Sequence, residues 1–269
     1  MDCSVIIDSL PQSVERYRTG YAVVAIDVIR ATTTLATARA LGRRCYVAPC
    51  VEQALLRAAE MERPLLAGEA GGDMPPGFDM TNSPAALALR TDTERPLILV
   101  SSSGTRLIDG ARRCEAAYLA CFRNHRAVAE RLCGRHPRVA VIGAGTRGEF
   151  REEDQMCCAW IAEYLIGHGY AAQDAKTLDV VARWSGAPPE ACLPSRSVAY
   201  LTRSNQLQDL EFILSHVNDL DLAFMLDGDE VVAAEALAPG GRVTYGAAAP
   251  ARRRSSRPRY ARRAAALPR

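Results

Sequence analysis

The sequence predicts an α/β fold with three layers, α/β/α, around a largely parallel sheet that becomes mixed at the C-terminal end. Up to about residue 170, short apolar runs alternate with longer amphipathic stretches, as strands and helices do in this fold class. The composition of the 269 residues, 48% hydrophobic and 24% charged, is typical of a globular protein. Two late apolar runs joined by Asp227-Gly228 indicate an antiparallel hairpin.

The individual elements follow from these local patterns. We predict strands at 3–7, 22–26, 44–47, 64–67, 97–101, 116–120 and 139–142. We predict helices at about 31–41, 51–61, 83–90, 104–111, 124–134 and 152–167. Asn82 or Ser83 can cap the third of these helices, which Pro84 helps to start. After about residue 170 the pattern becomes more helical, and the chain then reaches the hairpin formed by DLAFML and EVVAAEAL.

The first segment and the cysteines predict a cytoplasmic protein that does not contact membranes. MDCSVIIDSL has no basic leader, so we predict a first strand rather than a signal peptide. No apolar stretch approaches the roughly 20 residues that cross a bilayer. The nine cysteines include no CxxC pair and no Cys/His ligand spacing, which is typical of free thiols in a reducing compartment. A catalytic thiol would need a nearby base, and the sequence does not show one.

The charge distribution separates a body from a tail. Residues 252–269 contain eight Arg and no Asp or Glu, so the net charge of +2 leaves −6 on the residues before them. We predict one α/β domain at 1–246, built as one or two subdomains, and a disordered Arg-rich tail at 247–269. The tail could contact phosphates nonspecifically or be a solvated extension. No specific nucleic-acid partner is predicted.

Candidate functional side chains lie where predicted strands end. In such folds the carboxyl ends of the strands and the amino ends of the helices form the ligand crevice. Asp27 closes the run YAVVAI, and Arg30, Thr32 and Thr33 follow it at the start of the next helix. They offer a carboxylate, a guanidinium and hydroxyls at one strand end. An Asp that caps a Thr-rich helix is the alternative interpretation.

The segment SSSGTR follows the strand LILV and suits phosphate binding. The hydroxyls of Ser102, Ser103 and Thr105 can donate to phosphate oxygens. Gly104 allows close approach of the backbone, and Arg106 can neutralise an anion. The segment is not a Walker loop, because the GK[ST] ending is missing. Similar turns occur in many folds without a ligand.

The segment GAGTRG at 143–148 matches the GxGxxG pattern of dinucleotide-binding proteins. No clear second strand ending in an acid follows about 20 residues later, as that function requires. Glu149, Glu152, Glu153 and Asp154 follow instead, and their charge would repel a pyrophosphate. The same acids can bind Mg²⁺, which takes one or two carboxylates together with water and substrate oxygens. Interaction with the helix dipole is the alternative role, above all for Glu149 and Glu152.

Two long connections, at 68–84 and 143–154, are typical of functional loops in a compact domain. The first contains Glu69, at the end of the strand PLLA, and Asp79, which complete the acidic set. Either acid can instead serve the loop, Asp79 by accepting hydrogen bonds from nearby N–H groups. The four histidines are scattered, so the sequence does not predict a His nucleophile or a His-rich metal site.

Six segments, taken in sequence order, carry a family resemblance. They are DVIRATTT (27–34), GEAGG (68–72), PPGFDMTNSP (75–84), SSSGTR (101–106), FRN (122–124) and AGTRGEFREED (144–154). Together they resemble the motifs of the 2-phosphosulfolactate phosphatase family, Mg²⁺-dependent phosphatases known from coenzyme M biosynthesis. The resemblance runs from about residue 20 to 165, with weaker similarity through SRSVAYL and the final strands. It implies an α/β fold, a homodimer, and hydrolysis of the phosphomonoester of a small sulfonated or carboxylated acid.

Two positions depart from the pattern of that family. Ala70 stands where the family usually has Arg in GERGG, and Ser103 where it has Asn in TTTNGTR. Loss of an Arg removes a bidentate partner for an anionic group. We therefore expect the phosphate and metal residues to be kept while the second anion site has changed.

The residues and the resemblance together predict a site that binds Mg²⁺ and a small-molecule phosphomonoester, with 2-phosphosulfolactate the first choice. The predicted catalytic residues are Asp27, Arg30 and Asp154. The predicted metal ligands are Asp27, Glu69, Glu153 and Asp154. The predicted substrate ligands are Thr32, Thr33, Gly71, Asn82, Ser102, Ser103, Gly104, Thr105, Arg106 and Asn124. The attacking group is a metal-bound water or Asp27 itself through an aspartyl phosphate.

Two other functions stay open at this point. One is a noncatalytic binding or regulatory protein that keeps an anion pocket. The other is an oxidoreductase that binds NAD(P) through GAGTRG. Turnover of phosphomonoesters with Mg²⁺, set against stabilisation by NAD(P)H, separates the three functions.

Overall fold

Ten strands form one sheet in the computed structural model, which describes residues 3–234. The strands are β1 (Ser4–Ser9), β2 (Ala22–Ile26), β3 (Cys45–Ala48), β4 (Leu65–Gly68), β5 (Leu97–Val100), β6 (Ala116–Ala120), β7 (Arg138–Gly143), β8 (Ala171–Ala172), β9 (Phe224–Asp227) and β10 (Glu230–Ala233). The α-helices are α1 (Ala31–Ala40), α2 (Val51–Ala59), α3 (Pro84–Ala88), α4 (Gly104–Ala111), α5 (His125–Leu132), α6 (Glu152–Gly167), α7 (Ala175–Trp184), α8 (Arg196–Arg203) and α9 (Leu207–Ser215). Short 3₁₀ helices lie at Pro11–Tyr17 and Pro189–Cys192. In this part of the chain, no helix has both the length and the apolar character needed to span a membrane.

The strands and helices predicted up to residue 167 are present, and their ends differ from the prediction by a residue or two. The predicted hairpin is present as well, because β9 and β10 pair antiparallel and Gly228 between them has a φ of 62°. The boundary predicted at residue 246, the Arg-rich tail and the end of EVVAAEAL lie outside the described residues. The predicted α/β class is confirmed.

The strand order is β4-β5-β3-β10-β9-β6-β2-β7-β1-β8, which places the antiparallel hairpin in the middle of the sheet. β10 runs antiparallel to β3 and β9 antiparallel to β6, whereas the pairs outside the hairpin region are parallel. Ile26 of β2 lies opposite Ala120 of β6 and Gly143 of β7. The carboxyl ends of these strands therefore meet at one edge of the sheet, where the predicted functional segments follow them.

Helices cover both faces of the sheet. Val23 of β2 belongs to an apolar cluster with Leu35 of α1, on one face. Val24, its neighbour in the strand, belongs to a second cluster with Met156 of α6, on the other face. Successive side chains of a strand point to opposite faces, so a central strand covered on both sides is apolar throughout. This arrangement confirms the predicted three layers and explains why all five residues of β2 are buried.

The nine cysteines lie within the described residues, and all are free thiols. Burial raises the pKa of Cys121 to about 11 and that of Cys192 to about 12. Burial also raises the pKa of Cys157 and Cys158 well above the ordinary thiol value. Thiols in such surroundings stay protonated near neutral pH and are poor nucleophiles. These four cysteines therefore act as small apolar core residues.

A buried ion pair lies at the opposite edge of the sheet, before β3 and β5. The side chain of Arg43 is 0% exposed, and its Nη2 donates to Oδ1 of Asp92 at 3.0 Å. Its Nη1 donates to the backbone carbonyls of Asp92 and Arg95, both at 2.7 Å. The hydrogen bond from Arg90, followed by that from Arg43, holds the pKa of Asp92 well below its ordinary value. The pair fixes the chain where it enters these two strands.

We expect Asp92→Asn to lower the free energy of unfolding by about 2 kcal/mol, because the buried Arg43 guanidinium loses its countercharge. The pKa of Asp92 is lower in the folded state than the unfolded value of about 3.9. The stabilisation is therefore complete above that pH and is lost as the pH falls through the folded pKa. Urea unfolding from about pH 7 down to about pH 2 measures this difference. A difference that does not shrink below about pH 4 contradicts the assignment.

Candidate active site

Asp27 lies directly after β2, and the turn that follows it is closed by threonine hydroxyls. Oγ1 of Thr32 accepts from the backbone N–H of Asp27 at 3.0 Å and donates to its carbonyl at 2.8 Å. Oγ1 of Thr33 donates to the carbonyl of Val28 at 2.7 Å. The peptide bond between Ile29 and Arg30 is cis. Both threonine hydroxyls predicted to bind substrate are thus engaged with the backbone, and their role as ligands stays a prediction.

Asp154, in the first turn of α6, joins the ends of β2 and β7. Its Oδ1 accepts from the N–H of Val28 at 2.9 Å, and its Oδ2 accepts from the N–H of Gly145 at 3.0 Å. A Cβ atom at Gly143 would lie 2.9 Å from the Cβ of Asp154, so only glycine permits this approach. Asp154 therefore binds the residue next to Asp27, although the two acids are far apart in the sequence.

Glu153 is buried beside the start of α8. Its side chain is only 1% exposed, and the side chains of Ser197 and Ser195 act to lower its pKa, against the effect of burial. Its Oε2 is buried and has no hydrogen-bond partner among the described residues. Buried polar atoms in native proteins almost always have a partner. An unpartnered carboxylate oxygen at this edge of the sheet is therefore a candidate ligand for a cation.

Glu69 joins the loop after β4 to the loop after β5. Its Oε1 accepts from the N–H of Ser102 at 2.6 Å, and its Oε2 accepts from the Ser102 hydroxyl and the N–H of Gly72, both at 2.8 Å. The Ser102 hydroxyl also accepts from the N–H of Gly71 at 2.8 Å. These bonds hold the segments GEAGG and SSSGTR together, so both predicted ligands, Gly71 and Ser102, lie in one cluster with Glu69.

The carboxylates at this edge raise one another's pKa values. Burial, together with the charges of Glu69 and Glu153, raises the pKa of Asp27 to about 7, although the Ala31 N–H acts in the opposite direction. Burial, followed by the charge of Asp27, raises the pKa of Asp154 well above its ordinary value. Burial likewise raises the pKa of Glu153. The site thus concentrates negative charge in a region with little solvent, which favours binding of a cation or a proton.

The amino terminus of α4 touches the Asp27 carboxylate. A Cβ atom at Gly104 would lie 2.2 Å from Oδ2 of Asp27 and 2.7 Å from the Cβ of Ala31, so no side chain fits there. Thr105 is engaged with Ser101: its N–H donates to the Ser101 hydroxyl at 2.9 Å, and its hydroxyl donates to the Ser101 carbonyl at 3.0 Å. The Thr105 hydroxyl, predicted to bind the substrate, is therefore already bonded, as is the N–H of the same residue.

Two predicted ligands around α4 are more open. Ser103, the N-cap residue of α4, makes no side-chain cap hydrogen bond. Arg106 is exposed in the first turn of α4 and makes no ion pair with the described residues. Both side chains therefore stay predicted ligands for an anion at the start of this helix.

Arg30 is buried next to the acids and is tied to α9. Its side chain is 5% exposed, and its Nη1 donates to Oδ2 of Asp209 at 2.5 Å and to Oε1 of Gln206. Asp209 is 0% exposed, and its Oδ1 accepts from the Ser83 hydroxyl at 2.6 Å. Asp209 is not among the residues predicted from the sequence, because acids in a segment such as LQDLEFIL are typical of the solvent-facing side of an amphipathic helix.

No complete set of metal ligands is already formed: within residues 3–234, no three His, Cys, Asp or Glu side chains are arranged to hold a metal ion together. Mg²⁺ does not need such a set, because it keeps several waters and binds one or two carboxylates plus substrate oxygens. Asp27, Asp154 and the unpartnered oxygen of Glu153 supply hard oxygen donors. The chemistry of the residues therefore fits Mg²⁺, with Glu69 beside them.

Comparison with known proteins decides the family. The family model described as 2-phosphosulpholactate phosphatase matches residues 8–227. The chain belongs to the 2-phosphosulfolactate phosphatase family. A probable 2-phosphosulfolactate phosphatase of Synechococcus sp. (strain CC9605) is 36% identical over 183 residues, which cover 64% of this chain and 74% of that protein. Proteins of the same name from Parasynechococcus marenigrum (strain WH8102) and from Pseudothermotoga lettingae are 34% identical over 184 residues and 36% over 156, covering 76% and 66% of their lengths.

These two matches include 65% of this chain for the Parasynechococcus protein and 58% for the Pseudothermotoga protein. The predicted resemblance to the 2-phosphosulfolactate phosphatase family is therefore confirmed.

One motif residue of this 2-phosphosulfolactate phosphatase family member has a structural role here. Asn124 is 0% exposed, its Oδ1 accepts from the N–H of Cys121 at 3.0 Å, and its Nδ2 donates to the carbonyls of Leu119 and Leu222 at 3.2 and 3.3 Å. These bonds connect the end of β6 to the chain that enters β9. Asn82 is 3% exposed, and its Oδ1 has no partner among the described residues. Within residues 3–234, no hydrogen bond links Asn82 or Asn124 to Asp27, and both stay predictions as ligands.

The GAGTRG segment of this phosphatase family member forms a tight turn rather than an open phosphate loop. The N–H of Gly145, which a dinucleotide would need, donates to the Asp154 carboxylate. A Cβ atom at Gly145 would lie 2.3 Å from the carbonyl oxygen of Glu149, and Thr146 and Glu149 exchange backbone hydrogen bonds at 2.9 and 3.1 Å. Arg147, with a φ of 53°, projects at the exposed tip of the turn. This geometry indicates that the segment holds the Asp154 carboxylate and does not favour dinucleotide binding.

Proposed function

We propose that this chain is a Mg²⁺-dependent phosphatase that hydrolyses 2-phosphosulfolactate to sulfolactate and phosphate. Membership of the family and the names of the relatives support this reaction and this substrate. The observation that carries the metal part of the proposal is the group of buried carboxylates around Asp27, beside the amino terminus of α4. Without a cation, this group would repel a phosphate.

Asp27, with Asp154 or Glu153, would hold the ion, and Glu69 is the further candidate ligand. When bound, Mg²⁺ supplies the positive charge that offsets the phosphate and the carboxylates. The unpartnered Oε2 of Glu153 and the raised pKa of Asp154 support this choice of residues.

The start of α4 would hold the phosphoryl group. Gly104 lets the backbone at the start of α4 lie close to the Asp27 carboxylate, and a helix amino terminus attracts anions. Arg106 and Ser103 add a guanidinium and a hydroxyl on the exposed side of this terminus. Arg30 adds a second guanidinium from the buried side, and its Nε and Nη2 make no hydrogen bond with residues 3–234. Donors on both sides would stabilise the charge on the equatorial oxygens.

In the reaction, an attacking oxygen forms a new bond to phosphorus while the ester bond breaks, and the bridging oxygen leaves with sulfolactate and takes up a proton. The attacking group is either a water molecule positioned by a site carboxylate, or Asp27 itself through an aspartyl phosphate that water then hydrolyses. Rapid quenching with radiolabelled substrate separates the two routes. Label bound covalently to Asp27 supports the second route, and release of all label as phosphate at the earliest times supports the first.

We expect purified protein to release phosphate from 2-phosphosulfolactate only when Mg²⁺ is present, and we expect Mg²⁺ alone to raise its melting temperature. Excess EDTA should reverse both effects. Phospholactate, which lacks the sulfonate, is the informative second substrate. Ala70 stands where the family usually has an Arg that could bind a second anionic group. A folded protein that binds phosphate but turns over neither compound would instead be a binding protein. Stabilisation by NAD(P)H, but not by Mg²⁺ and phosphate together, would favour the oxidoreductase.

Three finer assignments belong to the same proposal. A cytoplasmic location is supported by the nine free thiols, which persist in a reducing compartment. The resemblance to the family supports a homodimer and a place in coenzyme M biosynthesis. Sedimentation of the purified chain measures whether it is a dimer.

A further inference from the structure

The contact between Arg30 and Asp209 joins the proposed active site to a part of the chain that no motif covers. Asp209, in the first turn of α9, lies 179 residues after Arg30 in the sequence. The side chains of the pair are 5% and 0% exposed. Removing two charges from water is unfavourable, and a buried ion pair often stabilises a protein no better than two apolar side chains would. Stability alone therefore gives little reason for this pair to be here.

The orientation of the Asp209 carboxylate is fixed from the other side. Its Oδ1 accepts from the hydroxyl of Ser83 at 2.6 Å and from the N–H of Ala85 at 3.1 Å, both at the start of α3. Its Oδ2 is then directed to Nη1 of Arg30. A carboxylate held by these two donors cannot rotate freely, so it determines where the guanidinium lies.

Two nitrogen atoms of the Arg30 guanidinium remain available as donors. Nη1 is bonded to Asp209 and to Gln206, whereas Nε and Nη2 make no hydrogen bond with residues 3–234. The guanidinium lies close enough to Asp27 for its charge to act on that carboxylate. The fork formed by two adjacent N–H donors matches two oxygens of a phosphate.

We propose that Asp209 is a positioning residue that holds the Nε and Nη2 edge of Arg30 against the phosphoryl group of the substrate. The inference rests on the proposed phosphatase function and adds to it a residue of α9. Gln206 supports the same orientation from the half-buried side of the contact. Asp209 does not touch the substrate and acts only through Arg30.

Asp209→Asn tests the proposal with little change in shape. The asparagine oxygen can still accept from Ser83 and Ala85, but an NH₂ group then faces Nη1 of Arg30, so two donors oppose each other. We expect kcat for 2-phosphosulfolactate to fall by roughly 100-fold, the loss typical of a catalytic group displaced by about 1 Å. The Mg²⁺-dependent rise in melting temperature should stay as in the wild type, because the carboxylates are untouched.

A double-mutant cycle separates positioning from a general loss of stability. Arg30→Lys removes the fork, so the variant that combines Arg30→Lys with Asp209→Asn should be no slower than Arg30→Lys alone. Asp92→Asn is the matched control, since it also strips a buried arginine of its carboxylate but lies at the opposite edge of the sheet. It should lose stability and keep kcat. Losses of kcat that multiply in the double variant overturn the proposal, as does an unchanged kcat in Asp209→Asn.

Two further measurements keep the test decisive. If Asp209→Asn does not fold, Gln206→Leu removes the other tether at a half-buried position, and its loss of kcat should likewise vanish in the Arg30→Lys background. Binding of inorganic phosphate with Mg²⁺, measured by calorimetry, separates this inference from the proposed function. A wild-type protein that binds phosphate without turnover refutes the phosphatase function, and weaker phosphate binding by Asp209→Asn then still supports the positioning role. Equal binding by the two proteins overturns it.

Discussion

Asp27→Asn is expected to lower kcat by roughly 1,000-fold or more, the size of loss that follows removal of a central catalytic group. Gly104 packs against the Asp27 carboxylate, and the N–H of Val28, the next residue, donates to Asp154. The amide keeps the shape of the side chain but removes the negative charge, which serves the metal in one route and the attack on phosphorus in the other. The variant should also lose the stabilisation by Mg²⁺. Phosphate release and thermal shift measure the two effects.

The same variant is expected to make the metal-free protein more stable at alkaline pH. Burial raises the pKa of Asp27 to about 7, so the folded protein binds a proton that the unfolded chain releases near pH 3.9. The unfavourable contribution of the wild-type carboxylate therefore grows as the pH rises from about 4 to about 7, and it is constant above that range. In EDTA, the free energy of unfolding of Asp27→Asn should exceed that of the wild type by a few kcal/mol at about pH 8 and by little at about pH 4.

Asp109→Asn provides the control for both effects. Asp109 lies in α4 like Gly104, but it is 35% exposed and pairs with Arg112 on the surface. A surface pair of this kind contributes little, so neither activity nor Mg²⁺ stabilisation should change. Wild-type turnover by Asp27→Asn would show that the acids gathered at this edge are not the catalytic site.

The sequence predicts this site only as far as local rules reach. Strand ends are visible as the points where apolar runs stop, and they located Asp27, Glu69 and Asp154 correctly at the ends of strands or at the start of the helix that follows. Their proximity depends on β2 lying next to β7, and no local pattern encodes strand order. The insertion of the hairpin between β3 and β6 was equally invisible for that reason.

Residue type alone did not decide what each polar side chain does. The hydroxyls of Thr32 and Thr105 suit a phosphate, yet each is used to close its own strand-to-helix turn. Both uses need the same short hydroxyl at the start of a helix, so the sequence cannot separate them. Asp209 is the opposite case, because its burial depends on α9 packing against α3, a contact between segments that are remote in the chain.

Gly104→Ala is expected to lower kcat/KM by roughly 100-fold, although it adds a single methyl group. That methyl would lie 2.2 Å from Oδ2 of Asp27 and 2.7 Å from the Cβ of Ala31. The start of α1 cannot yield easily, because the turn before it is closed by Thr32, so the Asp27 carboxylate or the start of α4 must move. Either movement separates the acid from the helix terminus proposed to hold the phosphate. Overpacking should also lower the free energy of unfolding by about 1–3 kcal/mol.

Gly167→Ala is the matched control, since Gly167 ends α6 and a Cβ atom there meets nothing within 4 Å. It should keep activity and leave stability equal or slightly higher, because alanine favours the helix by up to about 1 kcal/mol. Steady-state kinetics and urea unfolding of the two variants measure the contrast. The methyl group added by Gly104→Ala changes geometry and not charge. Mg²⁺ should therefore still stabilise this variant, whereas inorganic phosphate should bind it more weakly. Wild-type phosphate binding by that variant would mean that the phosphoryl group does not bind at the start of α4 beside Asp27.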